Sequence, residues 1–148
     1  MGVTLLDTGV VIGFLDADDA FHAASHEAIV GLMHDDAFFC MAAVSYAELL
    51  TGVGLGHHDA EIVEGFLDSF SVGVLPIDHT IAAEAARLRS THTQKVKGGG
   101  RRPTIKMPDA LILATASLTA GVERVLVADR QWPKVELAVN VTLLEAAG

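Results

Sequence analysis

The sequence contains a single cysteine, Cys40, inside the apolar run FFCMAA. No intrachain disulfide is possible. A lone thiol in such surroundings is expected to be a buried core residue, which fits a reducing cytoplasm. Long hydrophobic runs are also missing. The uncharged stretches 37–47 and 110–122 each end at a glutamate, well short of the ~20 residues that span a bilayer. No positively charged segment precedes the first apolar residues, so no secretory signal is expected. There is no internal repeat and no interdomain linker; the only low-complexity piece is GGG at 98–100. The 148 residues are therefore read as one domain, 1–148, with a core of its own. Positive charge is scarce. Ten Lys and Arg stand against nineteen Asp and Glu, for a formal net charge of -9, which argues against binding nucleic acid through a broad electrostatic surface.

What is present is a core-rich chain, 51% hydrophobic, and not a disordered one. GVTLL reads as a first strand and VVIGFLDA as a short helical segment after the DTG turn. Residues 19–34 have apolar side chains at helical spacing. AFFCMA, 37–42, has the character of a second buried strand, and VSYAELLTGV follows it with Ser45 as the possible helix start. Residues 57–70 form an amphipathic helix and VGVLPI, 72–77, a strand. Asp78 is expected to cap an alanine-rich helix, HTIAAEAARLRSTHTQK. PDALILATASLTAG, 108–121, opens with Pro and an acid as helix first turns do. ERVLVAD and LAVNVTLL, 137–144, close the pattern as strands. Short apolar strands alternating with helices predict an α/β domain, a mainly parallel sheet with helices on both faces.

In such sheets the functional edge lies beyond the C-terminal ends of the strands. Asp7, Glu48 and Asp129 each lie just past one of these ends, and Asp109 joins them if its helix starts near the same edge. Taken singly, each has an ordinary role: Asp7 as a cap, Asp109 as a first-turn acid, Glu48 as a solvated helix residue, Asp129 as a turn residue. Their context argues for more. All four sit in apolar sequence, LLD, SYAELL, PDALIL and LVAD, where unpaired carboxylates are costly. Gathered together they would raise one another's pKa. A hard divalent cation, Mg²⁺ or Mn²⁺, resolves that repulsion through oxygen ligands and can promote phosphodiester hydrolysis.

Four pieces, LLDTGVVIGFLD, SYAELLTG, PDALILATA and VADRQW, span nearly the whole chain in order. Together they resemble PIN-domain proteins, and most of all the VapC toxins of prokaryotic toxin–antitoxin pairs. The resemblance implies an Mg²⁺- or Mn²⁺-dependent endoribonuclease with its acidic site on Asp7, Glu48, Asp109 and Asp129. It further implies a homodimer and a cognate VapB-type antitoxin that blocks the site. In this reading Asp7 and Asp109 contact the metal most directly, and Glu48 and Asp129 act through water. Many relatives carry Ser or Thr two residues before the last acid, where this chain has Val127; Thr8, after Asp7, matches a position where relatives often have a hydroxyl.

Half of all cations fall in QKVKGGGRRPTIK, 94–106: Lys95, Lys97, Arg101, Arg102 and Lys106. The rest of the chain, with five cations against nineteen acids, carries -14. The segment is either a solvated flexible loop or a phosphate-contacting arm for RNA. That it leads directly into Asp109 favours the arm. His22 and His26, four apart, and the adjacent His57 and His58 have no HExxH or Cys/His set around them, so packing or surface roles are expected rather than zinc. Trp132 is expected to pack over its loop.

Rival readings fit less well. LLDTG is similar to the start of haloacid-dehalogenase-type phosphatases, which need a second Asp where this chain has Gly9. A receiver domain would need a phosphoacceptor Asp after its third strand, and VGVLPID is a poor match. A dinucleotide-binding domain would need GxGxxG, which is missing. The alternative from another class is a catalytically inactive PIN-like module that binds RNA or protein, a reading kept open by Val127.

Overall fold

The structure, a computed structural model, describes residues 2–128, 132, 137 and 139–146. In chain order its elements are β1 (Val3–Leu6), α1 (Thr8–Leu15), α2 (His22–His34), β2 (Phe38–Ala42), α3 (Ala43–Gly54), α4 (Ala60–Ser69), β3 (Gly73–Leu75) and α5 (His79–Thr91). These are followed by β4 (Thr93–Lys95), β5 (Arg101–Pro103), α6 (Met107–Leu118), β6 (Val122–Val127) and β7 (Asn140–Leu143). Five strands form one sheet in the order β3-β2-β1-β6-β7, and every neighbouring pair is parallel. The expected α/β architecture is therefore the observed one.

Side-chain alternation along the strands divides the core in two. Leu5, Cys40, Ala42, Val125 and Val127 point to one face, where Ala85 and Leu88 of α5 and Ile112 and Leu113 of α6 cover them. Leu6, Phe39, Met41, Leu126 and Ala128 point to the other, under Val10 and Val11 of α1, Ile29 of α2, Leu49 of α3 and Phe66 of α4. Cys40 is a buried free thiol, and Trp132 is buried within the first cluster. The strands are short and apolar because both faces are covered, as parallel sheets require.

Several boundaries differ from the sequence expectation for local reasons. The helix expected from 19 begins at His22, because Asp16 and Asp19 close side-chain turns onto the N–H groups of Asp18 and Phe21. Helix α3 starts at Ala43 and not at Ser45: the chain enters it straight from β2, with Ala42 in the N-cap position and no side-chain cap. Asp78 caps α5 as expected, accepting from Ile81 N at 2.9 Å. That helix ends at Thr91, and the residues expected to extend it, Thr93–Lys95, pair instead with Arg101–Pro103 in an antiparallel hairpin. The turn between them uses Gly98, Gly99 and Gly100 at φ of 92°, 100° and 85°, a region closed to most side chains.

The sheet's order also locates its functional edge. From β1 the chain builds outward through β2 to β3, then returns by α5, the hairpin and α6 to place β6 on the opposite side of β1. The direction of building reverses between β1 and β6. A crevice opens at the C-terminal ends of the strands where such a reversal occurs.

Candidate active site

Asp7 stands at that reversal. Its backbone N–H donates to the Leu126 carbonyl of β6 at 3.0 Å, and its own carbonyl accepts from Val10 N at 3.1 Å. The main chain is thus pinned between β6 and the first turn of α1. Asp7 holds the N-cap position of α1, but its carboxylate closes no capping hydrogen bond. The backbone amides of Thr8 and Gly9, at the start of α1, nevertheless favour its charged form.

The side chain is 8% exposed. Burial pushes the carboxyl up from 3.8 to about 7; the amide dipole of Thr8 pulls the other way, and the charges of Asp109 and Glu48 raise it further. Those two influences bring three of the sequence-predicted acids into one electrostatic neighbourhood: Asp7 after β1, Glu48 on α3 and Asp109 in the first turn of α6. Thr8, the first residue of α1 and itself buried, donates from Oγ1 to Glu48 Oε1 at 3.1 Å. It ties the exposed Glu48 back toward Asp7.

Asp109 is half-buried near the start of α6, where the helix opens on Met107 and Pro108 with Lys106 in the N-cap position. An acid there faces the positive end of the helix dipole. Asp129, the fourth expected acid, lies outside the described residues. Val127 is fully buried among the apolar residues on the α5–α6 face, so no hydroxyl is supplied there.

The groups gathered here, the carboxylates of Asp7, Glu48 and Asp109, are of the kind that a hard divalent cation takes as ligands. Arg87 pairs with Glu84 on the surface of α5, away from this edge; among the described residues no lysine or arginine forms an ion pair with Asp7. Among the described residues, no three His, Cys, Asp or Glu side chains are drawn together closely enough to enclose an ion on their own. The set is a neighbourhood of acids rather than a closed cage.

The expected basic arm is the β4–β5 hairpin. Lys95 lies in β4, Lys97 beside the glycine turn, Arg101 and Arg102 in β5, and Lys106 at the head of α6; all five are exposed. Arg101 donates from Nε to Thr93 Oγ1 at 2.6 Å, and Arg102 donates from Nε and Nη2 to the Gln94 amide oxygen at 2.7 Å. A sixth cation belongs to this region and was not legible in the sequence. Arg89, in the last turn of α5, donates from Nε to the carbonyl of Ile105 at 2.9 Å. The histidines do pack: His22 Nδ1 lies 2.8 Å from Gly13 O, His26 stacks on Phe14, and His58 Nε2 lies 2.9 Å from Leu49 O. No helix among the described residues is long and apolar enough to cross a membrane.

Comparison with known proteins places this geometry. The model of the PIN domain matches residues 4–137. No curated protein matches the sequence. Among solved structures, FitAcB from Neisseria gonorrhoeae is similar at a TM-score of 0.65 and 25% identity, over 93% of this chain and 95% of the other. VapBC2 from Rickettsia felis, bound to a DNA fragment from its promoter, gives a TM-score of 0.66 at 14% identity, over 97% of this chain and 99% of the other. DNA-bound VapBC from Salmonella typhimurium gives 0.63 at 16%, over 97% and 98%. With the matched region running from β1 through β6 and taking in Asp7, Glu48 and Asp109, the chain belongs to the PIN domain family.

Proposed function

We propose that this protein is a Mg²⁺- or Mn²⁺-dependent endoribonuclease, the VapC-type toxin of a toxin–antitoxin pair, which hydrolyses RNA phosphodiester bonds at Asp7, Glu48, Asp109 and Asp129. The observation that carries the reading is the buried Asp7 carboxyl, raised to about 7 with Asp109 and Glu48 beside it and no lysine or arginine pairing with it among the described residues. A fold does not keep such a group for stability; a cation that binds there restores its charge. Family membership supports the nuclease chemistry. Toxin–antitoxin structures among those similar to this chain, one a complex from Klebsiella pneumoniae and one of the VapBC family from Mycobacterium tuberculosis, support an antitoxin partner.

Asp7 and Asp109 would hold the cation, Asp7 from a backbone pinned to β6 and Asp109 from the rigid first turn of α6. Glu48, held by Thr8, would reach it through water, as would Asp129. A divalent cation held by these residues would lower the pKa of a bound water and stabilise charge on the phosphodiester. Thr8 orients the exposed Glu48 carboxylate through one hydrogen bond, and the basic hairpin next to α6 would supply the positive field that an acidic protein needs to retain RNA. The expected homodimer would pair two such sites.

The burial of Val127 supports a second reading, an inactive PIN-like module that binds RNA or protein without cutting. One experiment separates the two. Purified protein is incubated with total RNA and Mn²⁺, beside Asp109→Asn and an EDTA control. Cleavage by wild type alone, lost in EDTA, is the expected result. Intact RNA in every lane, with binding retained, favours the module; full cleavage by Asp109→Asn refutes the assignment of that acid.

A further inference from the structure

The guanidinium of Arg89 is held at the junction where three elements meet. Its Nε bonds the carbonyl of Ile105, the residue just before the N-cap of α6 and four residues before Asp109. The same junction is stapled a second time: Thr104 donates to the His92 carbonyl from N at 2.9 Å and from Oγ1 at 3.0 Å. Ile105 itself is 2% exposed and packed in the core. Arg89 is therefore fixed to the rigid base of the hairpin.

A guanidinium held through Nε has its plane set, and its two Nη groups form a fork matched to a phosphate. Among the described residues those Nη groups have no hydrogen-bond or ion-pair partner. The neighbouring arginines differ. Arg87 is forked onto Glu84, Arg101 reaches Thr93 with Nε and Nη2, and Arg102 reaches Gln94 with both. The C-terminal end of α5 accounts for a cation in this turn. It does not account for a half-buried guanidinium that uses one donor of five. A single bond to a carbonyl needs no arginine.

We propose that Arg89 is a phosphate-binding residue of the RNA path: anchored by the Ile105 carbonyl, it offers its Nη fork to a backbone phosphate that enters between the basic hairpin and the head of α6. The inference rests on the ribonuclease reading and deepens it. It distinguishes one preset phosphate contact at the entry to α6 from the more diffuse field of the exposed hairpin cations.

The test is binding of a fluorescein-labelled RNA stem–loop of mixed sequence, in EDTA to prevent cleavage, across a series of salt concentrations. Arg89→Gln keeps an amide donor for Ile105 while losing the charge and the fork. It should weaken binding about tenfold and reduce the slope of log K against log salt by about 0.7–0.9, the share of one phosphate. Arg89→Lys should keep most of the slope and still lose affinity. Thr104→Val cuts the Thr104 hydroxyl's bond to His92 without touching a charge, and its slope should match wild type. Wild-type affinity and slope in Arg89→Gln would overturn the proposal. So would a Thr104→Val variant that reproduces the slope loss, since junction rigidity would then be the cause. A wild type that binds the stem–loop at no salt concentration would overturn the ribonuclease reading as well.

Discussion

Asp7→Asn should make the metal-free protein more stable at neutral and alkaline pH. The folded protein holds the Asp7 proton more tightly than the unfolded chain does, about 7 against 3.8. Folding therefore takes up a proton between these values. Below the unfolded value the carboxyl is neutral in both states and costs nothing. As pH rises through the window, stability falls, and above the folded value the loss is complete. Three units at about 1.4 kcal/mol each give a ceiling of about 4 kcal/mol. The neutral Asn carries no such penalty. At roughly 2–4 °C per kcal/mol for a chain of this size, the variant should melt up to about 8–16 °C above wild type at pH 8, with the gap closing toward pH 4. The assay is a set of thermal melts in EDTA across that range. Mn²⁺ should narrow or reverse the order, because a cation that binds only the folded site stabilises wild type by mass action and the variant loses a ligand. Parallel curves for the two proteins from pH 5 to pH 8 would refute the reasoning, since Asp7 would then titrate alike folded and unfolded.

Thr8→Val removes the hydroxyl that holds Glu48 and keeps its shape. Turnover of RNA should fall about tenfold, the value of one positioning hydrogen bond, while the melting temperature stays within a few degrees of wild type. Gly13→Ala places a methyl against Ser25 Oγ at 2.6 Å and the Phe21 carbonyl at 3.3 Å. It should cost about 1–3 kcal/mol by forcing α1 and α2 apart, despite the better helix propensity of alanine, and a melt will show it. Arg101→Gln combined with Arg102→Gln should weaken RNA binding and lower its salt slope by about 1.4–1.8 if both contact phosphates; an unchanged slope counts against the hairpin as an arm.

How much of this was legible in the sequence depended on whether the determinant was local. The strand before Asp7 reads directly as VTLL, because a fully buried parallel strand has little room for anything but apolar residues. The Asp78 cap reads equally well, since its bond reaches only three residues on. Asp7, Glu48 and Asp109, which share one electrostatic neighbourhood, could be singled out because each lies near a strand end or a helix start in apolar sequence; Asp129 lies outside the described residues. The start of α3 was misplaced because Ala42 enters the helix without any polar cap, so no N-cap signal exists to read. The hairpin was missed because its strands are three residues long and made by pairing Thr93–Lys95 with residues across a glycine turn, a non-local event that the helical spacing before it conceals. Arg89 was invisible for the same reason. Its partner, Ile105, is sixteen residues away, and the bond is to a backbone carbonyl that no sequence pattern marks.

The central claim is that these acids bind a divalent cation, and the most direct test is a calorimetric titration of Mn²⁺ into metal-free wild type and Asp109→Asn, which requires no knowledge of the RNA target. Saturable binding to wild type, weakened at least tenfold in the variant while its fold is intact by circular dichroism, is the predicted result. Binding of equal affinity in both proteins, or no binding in either, would contradict the account.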